Sequence, residues 1–536
     1  MSPPAIAAAK QGDAVSASWP RLTVVALGIF AVIFSIRAMF VGFHNTIFGF
    51  RESQTALDIE SIVRGDGFLN YQTPVLGPPW TIPFEFPLYQ GIAAGAMRLF
   101  GTRLEETGRA VSILFFYLCF FPLASILRFL RFRSIQIVAA LAILSVSPLY
   151  ILYSRGVWIE STALFLSLMY VEQMIRLTIG ERQWQYRHIA GATLFGCLAG
   201  LVKVTTFAPY LLLGAGLAAW GAWKVYRSGT LRLPRIGAAA LFCGLLPVAL
   251  TEAWIKHTDS LKARNPLGAA LTSTALTQWN FGTLQQRLQP RWYHLLESRV
   301  DREIGYTAAA VLIVGVFTGL VVAAERPSRW ARYARVAAIC SALYAAAIML
   351  FFNLHAVHEY YGYANAVCLV VGVGAMLAPM LELPGSKAWV GVALLAIELG
   401  ASIGCYVRNV YPEQAQDLPG QPVLAAILDQ TTDPQSVILI TGMDWSPTLA
   451  YQSRRRAIMD LNYGLPGHTE DLGGISGSIA MQGPGTISAV VACAKGENAG
   501  RLPALLQVVG MTNPVVMHGD GCDVYERVAA PGALTP

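Results

Sequence analysis

The feature that most constrains the fold is a series of apolar runs, each long enough to cross a lipid bilayer. A membrane-spanning helix needs about 20 consecutive, mostly apolar residues. We predict about eleven such helices, at residues 22–41, 108–130, 134–153, 157–176, 188–204, 205–224, 236–255, 304–324, 336–353, 361–380 and 387–406. The chain is therefore predicted to be a mainly α-helical, polytopic membrane protein.

Composition supports this class and excludes others. Only 13% of the residues are charged and 54% are hydrophobic, whereas soluble domains carry about 25% charged residues. The net charge of +7 does not indicate nucleic-acid binding, because Lys and Arg lie at the ends of the apolar runs. We interpret the run 22–41 as a retained first helix, since no small-residue cleavage site follows it.

The distribution of basic residues predicts an orientation. With a cytoplasmic N-terminal tail at 1–20, the cytoplasmic loops carry Arg128, Arg131, Arg133, Arg176, Arg182, Arg187, Lys224, Arg227, Arg232, Arg235, Arg326, Arg329, Arg332 and Arg335. Cytoplasmic loops are enriched in Lys and Arg. The loops 43–90 and 257–303 and the C-terminal tail are therefore expected outside, which is the periplasm for a bacterial inner-membrane protein.

The composition changes at about Tyr411, where a transmembrane domain over 21–410 gives way to a small α/β domain over 411–536. We predict strands at 437–442, 486–495 and 522–528 and helices at 422–430 and 501–510. Cys493 and Cys522 are the two cysteines in a polar region. They are the one plausible disulfide, which suits an external, oxidising location.

The loop 43–90 has a composition that a simple connection does not need. It contains five carboxylates and many prolines and aromatics. Loops held on a rigid scaffold are where binding and catalytic residues concentrate. Segment 84–100, which follows the proline-rich stretch, is apolar but short, and we interpret it as an interfacial helix.

Further polar residues lie at the predicted outer ends of the helices. Charge at a membrane boundary is costly and by default indicates function. We therefore predict that these residues form one site with the loop 43–90; they are Arg155, Glu160, Lys203, His355, His358, Glu359, Tyr360 and Tyr361.

Each of these residues also has an ordinary explanation. Lys203 could extend to the membrane interface, and Arg155 with Glu160 could be a structural ion pair. Tyr360 and Tyr361 could belong to an aromatic belt. Glu52 and Asp58 could be solvated loop charges or helix caps.

Taken together, the residues resemble the GT-C glycosyltransferases, in the branch of protein O-mannosyltransferases and lipid A aminoarabinose transferases. The resemblance covers about residues 20–410. It is carried by RESQTA at 51–56, SIVRGDGFL at 61–69, FPLY at 86–89, Glu160, Lys203 and HEYY at 358–361.

The loop departs from the family pattern in two places. Arg51 stands where the first residue of an acidic pair is expected, so that Glu52 alone must serve. Glu85 and Phe86 stand before Pro87, where many relatives carry basic or prolyl residues.

The resemblance implies a chemistry and roles for residues. Relatives transfer a sugar from a polyprenyl-phosphate donor with inversion, and Glu52 corresponds to a catalytic base. Lys203, Arg155 and His358 would hold the phosphate with the hydroxyls of Tyr360 and Tyr361. Glu160 would orient Arg155 or a sugar hydroxyl. The remaining predicted substrate-binding residues are Arg51, Gln54, Asp58, Trp80, Glu85, Tyr89, His355 and Glu359.

The expected acceptor is an envelope glycolipid, glycan or protein, and nucleic acid is not an expected partner. No residue cluster demands a metal or another cofactor, although one divalent cation between Glu52 and a phosphate is compatible with the sequence.

Two other classes remain open. A secondary transporter or lipid-linked sugar flippase would also need many helices, but transporters place polar residues near the membrane midplane. A non-catalytic scaffold would leave the acidic loop, Lys203 and the HEYY stretch unexplained.

Overall fold

The computed structural model describes residues 18–47, 49–179, 184–228, 233–325, 329–416, 422–459, 472–493 and 502–527. Residues 1–17 of the predicted cytoplasmic tail lie outside this part. The chain divides into two compact units. The bundle unit contains residues 1–43, 112–251 and 280–416, and the loop unit contains residues 44–111, 252–279 and 417–536. Most of the loop 43–90 thus shares a unit with the C-terminal region.

The bundle unit is built of helices. The α-helices are Ser18–Met39, Phe120–Phe129, Ser134–Val146, Pro148–Ser154, Glu160–Thr178, Tyr186–Val202, Val204–Arg227, Leu233–Ala239, Leu284–Arg287, Pro290–Glu303, Tyr306–Glu325, Arg329–Leu350, Phe352–Val357, Gly362–Leu381, Ala388–Asn409 and Tyr411–Gln414. Ala240–Leu245 is a π-helix, and Glu359–Tyr361 and Gly385–Lys387 are 3₁₀-helices. The unit boundary falls within Leu104–Leu118, Leu246–Lys262 and Thr277–Phe281.

Seven helical stretches of the described residues are long and apolar enough to cross a membrane. They are Trp19–Met39, Leu104–Phe129, Val204–Arg227, Leu233–Lys262, Trp330–Leu350, Glu359–Leu381 and Gly385–Asn409. The pair Ser134–Val146 and Pro148–Ser154, bent by 63°, is an eighth if it forms one span. The chain is therefore a multi-pass membrane protein.

Three further predicted spans form helices that do not meet the same criterion. Glu160–Thr178 carries two glutamates and an arginine, and Tyr186–Val202 has 17 residues. The apolar part of the third helix is the short stretch Tyr306–Gly319. The count of eleven spans stays a prediction.

The loop unit combines helices with one mixed sheet. Its helices are Phe50–Arg64, Leu88–Phe100, Gly268–Leu271, Val423–Thr431, Thr448–Ser453, Leu472–Gln482, Pro484–Thr486 and Leu502–Val508, of which Gly268–Leu271 and Pro484–Thr486 are 3₁₀. The strands are β1 (Val437–Thr441), β2 (Arg456–Met459), β3 (Ile487–Ala492), β4 (Val515–Gly519) and β5 (Cys522–Glu526). Their order is β2-β1-β3-β5-β4.

The predicted strands and helices of the C-terminal region are present, and two strands were missed. β1 pairs in parallel with β2 and β3, whereas β5 pairs in antiparallel with β3 and β4. β1 is buried along its whole length, as expected for a strand between parallel neighbours. The missed strands are β2 and β4. Cys493 and Cys522 form a disulfide.

The proline-rich end of the loop extends this sheet. Leu76 forms an antiparallel bridge with Ile458 of β2. The backbone N–H of Ala457 donates to the carbonyl of Pro74 (2.9 Å), and Gly77 donates to the carbonyl of Ala457 (3.1 Å). Main-chain pairing of this kind fixes the position of an extended segment. The C-terminal sheet therefore holds one end of the loop 43–90.

Candidate active site

Lys203 lies at a break between two helices of the bundle unit. The helix Tyr186–Val202 ends one residue before it, and Val204–Arg227 begins one residue after it. Its backbone is extended, with φ −159° and ψ 93°, which no helical residue adopts. The predicted boundary between the spans 188–204 and 205–224 is thus an interruption of the helix, at Lys203.

The ammonium group of Lys203 pairs with the carboxylate of Glu160. Its Nζ lies 2.6 Å from Oε1 and 2.5 Å from Oε2, and the side chains are 5% and 1% exposed. Glu160 begins the helix Glu160–Thr178, where the helix dipole favours a negative charge. Lys203 is therefore buried inside the bundle unit, contrary to the interpretation that it extends to an interface.

Two tyrosine rings complete the surroundings of this cation. Lys203 Nζ lies 4.5 Å from the ring centre of Tyr361 and 5.1 Å from that of Tyr360. The ring of His358 stacks on Tyr360 at 5.2 Å with an interplanar angle of 26°. Cation–π contacts stabilise a desolvated ammonium. The structure brings five predicted site residues together: Glu160, Lys203, His358, Tyr360 and Tyr361.

One carboxylate oxygen of Glu359 accepts hydrogen bonds from other side chains, and the other has no donor among the described residues. Arg302 donates to its Oε2 at 2.9 Å, and the hydroxyl of Tyr153 donates to the same oxygen at 3.4 Å. Its Oε1 is buried, and no hydrogen-bond donor among the described residues reaches it. An unsatisfied buried acceptor is costly. Glu359 can therefore accept a hydrogen bond from a bound hydroxyl.

The imidazole of His355 is occupied by protein groups. Its Nδ1 lies 2.9 Å from the carbonyl oxygen of Phe351, and its Nε2 lies 2.6 Å from the side-chain nitrogen of Asn365. Burial lowers the pKa of His355 to about 4. A neutral ring that donates from Nδ1 and accepts at Nε2 fits both contacts.

Arg155 binds the end of the first helix. Its guanidinium donates to the carbonyls of Met39 (3.3 Å), Val41 (2.5 Å) and Gly42 (3.1 Å). Basic side chains are favourable at helix C-termini. An ion pair with Glu160 was one sequence-based interpretation of Arg155; in the structure the carboxylate of Glu160 binds Lys203.

Glu52 lies in the first turn of the helix Phe50–Arg64, which we call the loop helix. Its side chain is half-buried, and the first turn is where the helix dipole stabilises an anion. Gly65 ends the loop helix in the left-handed conformation, with φ 89°, and its N–H donates to the carbonyls of Ser61 and Ile62. These two ends fix the helix that presents Glu52.

The two departures from the family pattern are partners of each other. The guanidinium of Arg51 forms an ion pair with the carboxylate of Glu85. It also donates to Gln54 Oε1 at 2.9 Å. Gln54 is 1% exposed, and its Nε2 has no hydrogen-bond partner in the described part of the chain. Arg51 and Glu85, the two charged residues that depart from the family pattern, thus form an ion pair beside the buried amide of Gln54.

Asp58 is buried in the interior of the loop unit. The hydroxyl of Thr73 lies 2.7 Å from Asp58 Oδ1 and 3.1 Å from the carbonyl of Ile82. Burial raises the pKa of Asp58 well above its usual value. A protonated Asp58 would donate to Thr73 Oγ1 while Thr73 donates to Ile82, which satisfies every oxygen in the chain of contacts.

Replacing Asp58 by Asn is expected to remove a pH-dependent component of stability. Because the folded-state pKa is raised, the folded state holds a proton that the unfolded state releases above about pH 4. The wild type should therefore lose stability as pH rises from that value. Asp58→Asn should flatten this slope and be at least as stable at pH 7. Thermal unfolding of the full-length protein between pH 5 and pH 8 measures both effects; equal slopes would contradict the protonated state.

Trp80 and Tyr89 have protein partners within the loop unit. The guanidinium of Arg456 lies 5.5 Å from the ring centre of Trp80. Tyr89 is fully buried, and its hydroxyl donates to the carbonyl of Gly108 at 2.8 Å. Their predicted contacts with substrate stay predictions.

Trp445, in a turn of the C-terminal region, packs against two aromatic side chains of the loop 43–90. Its ring meets Phe50 edge-on at 4.7 Å and stacks on Phe84 at 5.6 Å with an angle of 19°. Phe50 precedes Arg51 and Phe84 precedes Glu85 in the chain. The C-terminal region thereby packs against the residue that precedes each member of the Arg51–Glu85 pair.

Residues from 252–279 also hold the loop. Asn265 Nδ2 lies within hydrogen-bond distance of the carbonyls of Leu76, Gly77 and Pro79. Lys262 is buried, and its Nζ lies 5.3 Å from the ring centre of Phe84 in the loop. Nothing in the sequence distinguishes these two residues from ordinary polar positions.

In the part of the chain that the structure describes, no three His, Cys, Asp or Glu side chains come together as a metal site.

No protein-family model matches the chain, and no curated protein matches its sequence. Solved structures do match. ArnT from Cupriavidus metallidurans bound to undecaprenyl phosphate has a TM-score of 0.57 at 15% identity, over 94% of this chain and 98% of that chain.

Two other similar structures are larger proteins. The archaeal oligosaccharyltransferase AglB from Archaeoglobus fulgidus, in complex with an inhibitory peptide and a dolichol-phosphate, has a TM-score of 0.52 at 11% identity, over 94% of this chain and 74% of that chain. The arabinofuranosyltransferase AftD from Mycobacteria has a TM-score of 0.53 at 14% identity, over 94% of this chain and 40% of that chain. All three are GT-C glycosyltransferases, and this chain has a GT-C-type fold.

Proposed function

We propose that the chain transfers a sugar, with inversion, from a polyprenyl-phosphate donor to a hydroxyl of an envelope glycolipid, glycan or protein. The reaction takes place on the outer face of the bacterial inner membrane, which is the predicted side of the loop 43–90. A protein with the same fold was solved with undecaprenyl phosphate and another with a dolichol-phosphate. Both support a lipid-linked donor.

The observation that carries the proposal is the buried Lys203 between Glu160 and the two tyrosines. An ammonium held in a water-poor site stabilises negative charge better than one in water. The group that gains negative charge in this reaction is the departing phosphate. Lys203 is its proposed partner, with the hydroxyls of Tyr360 and Tyr361 as further donors.

Glu52 is the proposed general base. In the transfer it takes the proton of the acceptor hydroxyl as that oxygen bonds to the anomeric carbon. The bond from this carbon to the phosphate oxygen breaks, and polyprenyl phosphate leaves with the electron pair. General base catalysis of this kind contributes about 10²–10⁴-fold. A divalent cation between Glu52 and a phosphate is compatible with these roles and is not required by them.

Sugar recognition is assigned to the polar groups with unused hydrogen-bonding capacity. Gln54 offers a buried N–H donor and Glu359 a buried acceptor oxygen. Sites that leave such groups unpaired reject a substrate that lacks the matching hydroxyl. Arg51 and Glu85 are proposed to orient Gln54 through their ion pair.

Mass spectrometry of envelope glycolipids and glycans tests the proposal. A deletion strain is expected to lack one defined sugar mass and to accumulate the lipid-linked donor, and the wild-type gene should restore both. A flippase would instead leave the lipid-linked sugar trapped on the cytoplasmic face. Unchanged glycans would favour the transporter or scaffold interpretation.

Trp445→Ala is expected to lower the transfer rate at least tenfold, because small displacements of a catalytic group are costly. Trp445→Phe keeps an aromatic face against Phe50 and Phe84 and should recover most of the rate. The measurement is the initial rate at saturating donor. Tyr525→Ala, which removes a half-buried ring from β5 of the same unit, is the control. Equal losses in both Ala variants would contradict a positioning role.

A further inference from the structure

The loop unit contains a cavity of about 370 Å³ that the proposed transfer step does not use. It is lined by the loop helix and by the C-terminal region, which contributes three consecutive arginines, Arg454, Arg455 and Arg456. Arg64 adds a fourth guanidinium, and Glu60 is the one acidic residue of its lining. Apart from Gln435, the rest of the lining is apolar.

Arg455 is the structural member of the three. It is 2% exposed, and its guanidinium donates to the hydroxyl of Thr432 (3.0 Å) and to the carbonyls of Thr432 (2.7 Å) and Ser453 (2.8 Å). These bonds fix the backbone on which its two neighbours are carried.

Arg454 occupies a position that suits a smaller residue. It ends the helix Thr448–Ser453 in the left-handed conformation, with φ 54°. Glycine or asparagine is favoured there, because a side chain with a Cβ is strained at positive φ. An arginine at this position has a conformational cost that glycine would not have.

The cavity carries an excess of positive charge. Arg64 is paired with Glu60 at 3.5 Å and with Asp66 at 3.2 Å. Among the described residues, neither Arg454 nor Arg456 has an ion-pair partner; Arg456 lies over the ring of Trp80. Arg455 is paired with Asp429 at 3.5 Å. Burial raises the pKa of Glu60, the one acidic residue of the lining.

We propose that this cavity binds an anionic group, a phosphate or a carboxylate, carried by the acceptor. Arg forks bind such groups through paired, charge-assisted hydrogen bonds. This proposal rests on the proposed function, because it is the proposed transfer reaction that identifies the ligand as the acceptor. The loop helix rises 1.5 Å per residue, so Glu60 and Arg64 lie ~12 and ~18 Å along its axis from Glu52. The acceptor must span that distance between its anionic group and its reacting hydroxyl.

Binding is tested on the full-length protein in detergent by thermal unfolding. The probes are glucose 6-phosphate and glucuronic acid, with glucose at matched ionic strength as the neutral control. Both anions should raise the midpoint saturably in the wild type and glucose should not. The test variants are Arg454→Gly and Arg454→Gly with Arg456→Gln. Arg264→Gln, an exposed arginine of the same unit outside the cavity, is the control.

Arg454→Gly relieves the strained backbone, so this variant should unfold at the wild-type temperature or above without ligand. Its apparent affinity for both anions should nevertheless fall about tenfold, as expected for loss of a charged hydrogen-bonding partner. Arg264→Gln should bind as the wild type does. Equal shifts in the wild type and the double variant would overturn the proposal.

Two further measurements distinguish failure of this proposal from failure of the proposed function, and an acceptor from a lipid headgroup as the bound anion. Glu52→Gln should bind both anions as the wild type does, because the substitution affects only the proposed proton transfer. If Glu52→Gln transfers sugar at the normal rate, Glu52 is not the base. The anion site is then still tested by the changes in unfolding temperature that the two anions cause. A stabilisation seen only in micelles containing phosphatidylglycerol, and not with the soluble anions, would overturn the acceptor assignment in favour of a membrane headgroup.

Discussion

Glu52→Gln is expected to reduce sugar transfer by about 10²–10⁴-fold, because glutamine cannot take the proton of the acceptor hydroxyl. The protein should still fold. Glu52 is half-buried in the first turn of the loop helix, and an acid there contributes only about 0.3–1 kcal/mol through the helix dipole. The measurement is the sugar mass restored to the envelope glycans of a deletion strain, with the amount of membrane-inserted protein determined in parallel.

Glu106→Gln is the matched control for this substitution. Glu106 belongs to the same unit and its carboxylate contacts the exposed ring of His44 at 2.9 Å. Exposed pairs of this kind contribute about 0–1 kcal/mol, so the control should restore the glycan fully. Full restoration by Glu52→Gln as well would show that another group is the base. Loss in both variants would indicate that the loop unit tolerates no change of charge.

Much of the fold could be predicted because its signals are local. Apolar runs identify helices wherever a bilayer-length stretch occurs, and the buried strands β1 and β3 are largely apolar segments. β5 alternates buried residues, Cys522 and Val524, with half-buried ones. β2 has only four residues, and β4 is exposed at three of its five residues. Neither carries a periodic pattern long enough to be distinguished from a loop.

The candidate site was predictable where charge interrupts an apolar run. Lys203 and the HEYY stretch are conspicuous for this reason, and the structure places them together. The sequence does not indicate which charged residues form ion pairs with each other. Arg51 and Glu85 are 34 residues apart, and each is a departure from the family pattern when considered alone. Their opposite charges are the signal, visible only once the two positions are compared.

The contacts of the loop with the C-terminal region were beyond sequence reasoning for another reason. The segment Pro74–Gly77 pairs with Ala457 and Ile458 through backbone atoms, which carry no residue-specific signal. Trp445 stands in a turn of the C-terminal region, where an aromatic side chain is ordinarily a packing residue. Only its contacts with Phe50 and Phe84 in the structure show that Trp445 packs against the loop 43–90.

Lys203→Met is expected both to destabilise the protein and to abolish transfer. It leaves the carboxylate of Glu160 buried without its counter-ion, and breaking a buried pair in this way costs about 3–5 kcal/mol. Glu160→Gln should destabilise for the converse reason, since the ammonium of Lys203 then loses its anion. Thermal unfolding of the purified protein measures the stability, and the restored sugar mass measures the transfer.

The double variant Lys203→Met with Glu160→Gln separates the two roles of the lysine. Replacing both members of a buried pair by neutral groups removes the uncompensated charge, so the double variant should recover most of the stability lost by either single variant. It should still be inactive, because no cation remains to stabilise the departing phosphate. Lys256→Met, which breaks an exposed pair with Glu252, is the control and should change neither property measurably.

Recovery of transfer together with stability in the double variant would make Lys203 a purely structural residue. The departing phosphate would then need another cation, and Arg155 and His358 are the remaining predicted candidates. Arg155 is engaged by three backbone carbonyls, whereas the ring of His358 stacks directly on Tyr360 beside the lysine. Loss of transfer in a stable double variant therefore supports Lys203 as the phosphate ligand, because the fold around it is intact and only the charge is missing.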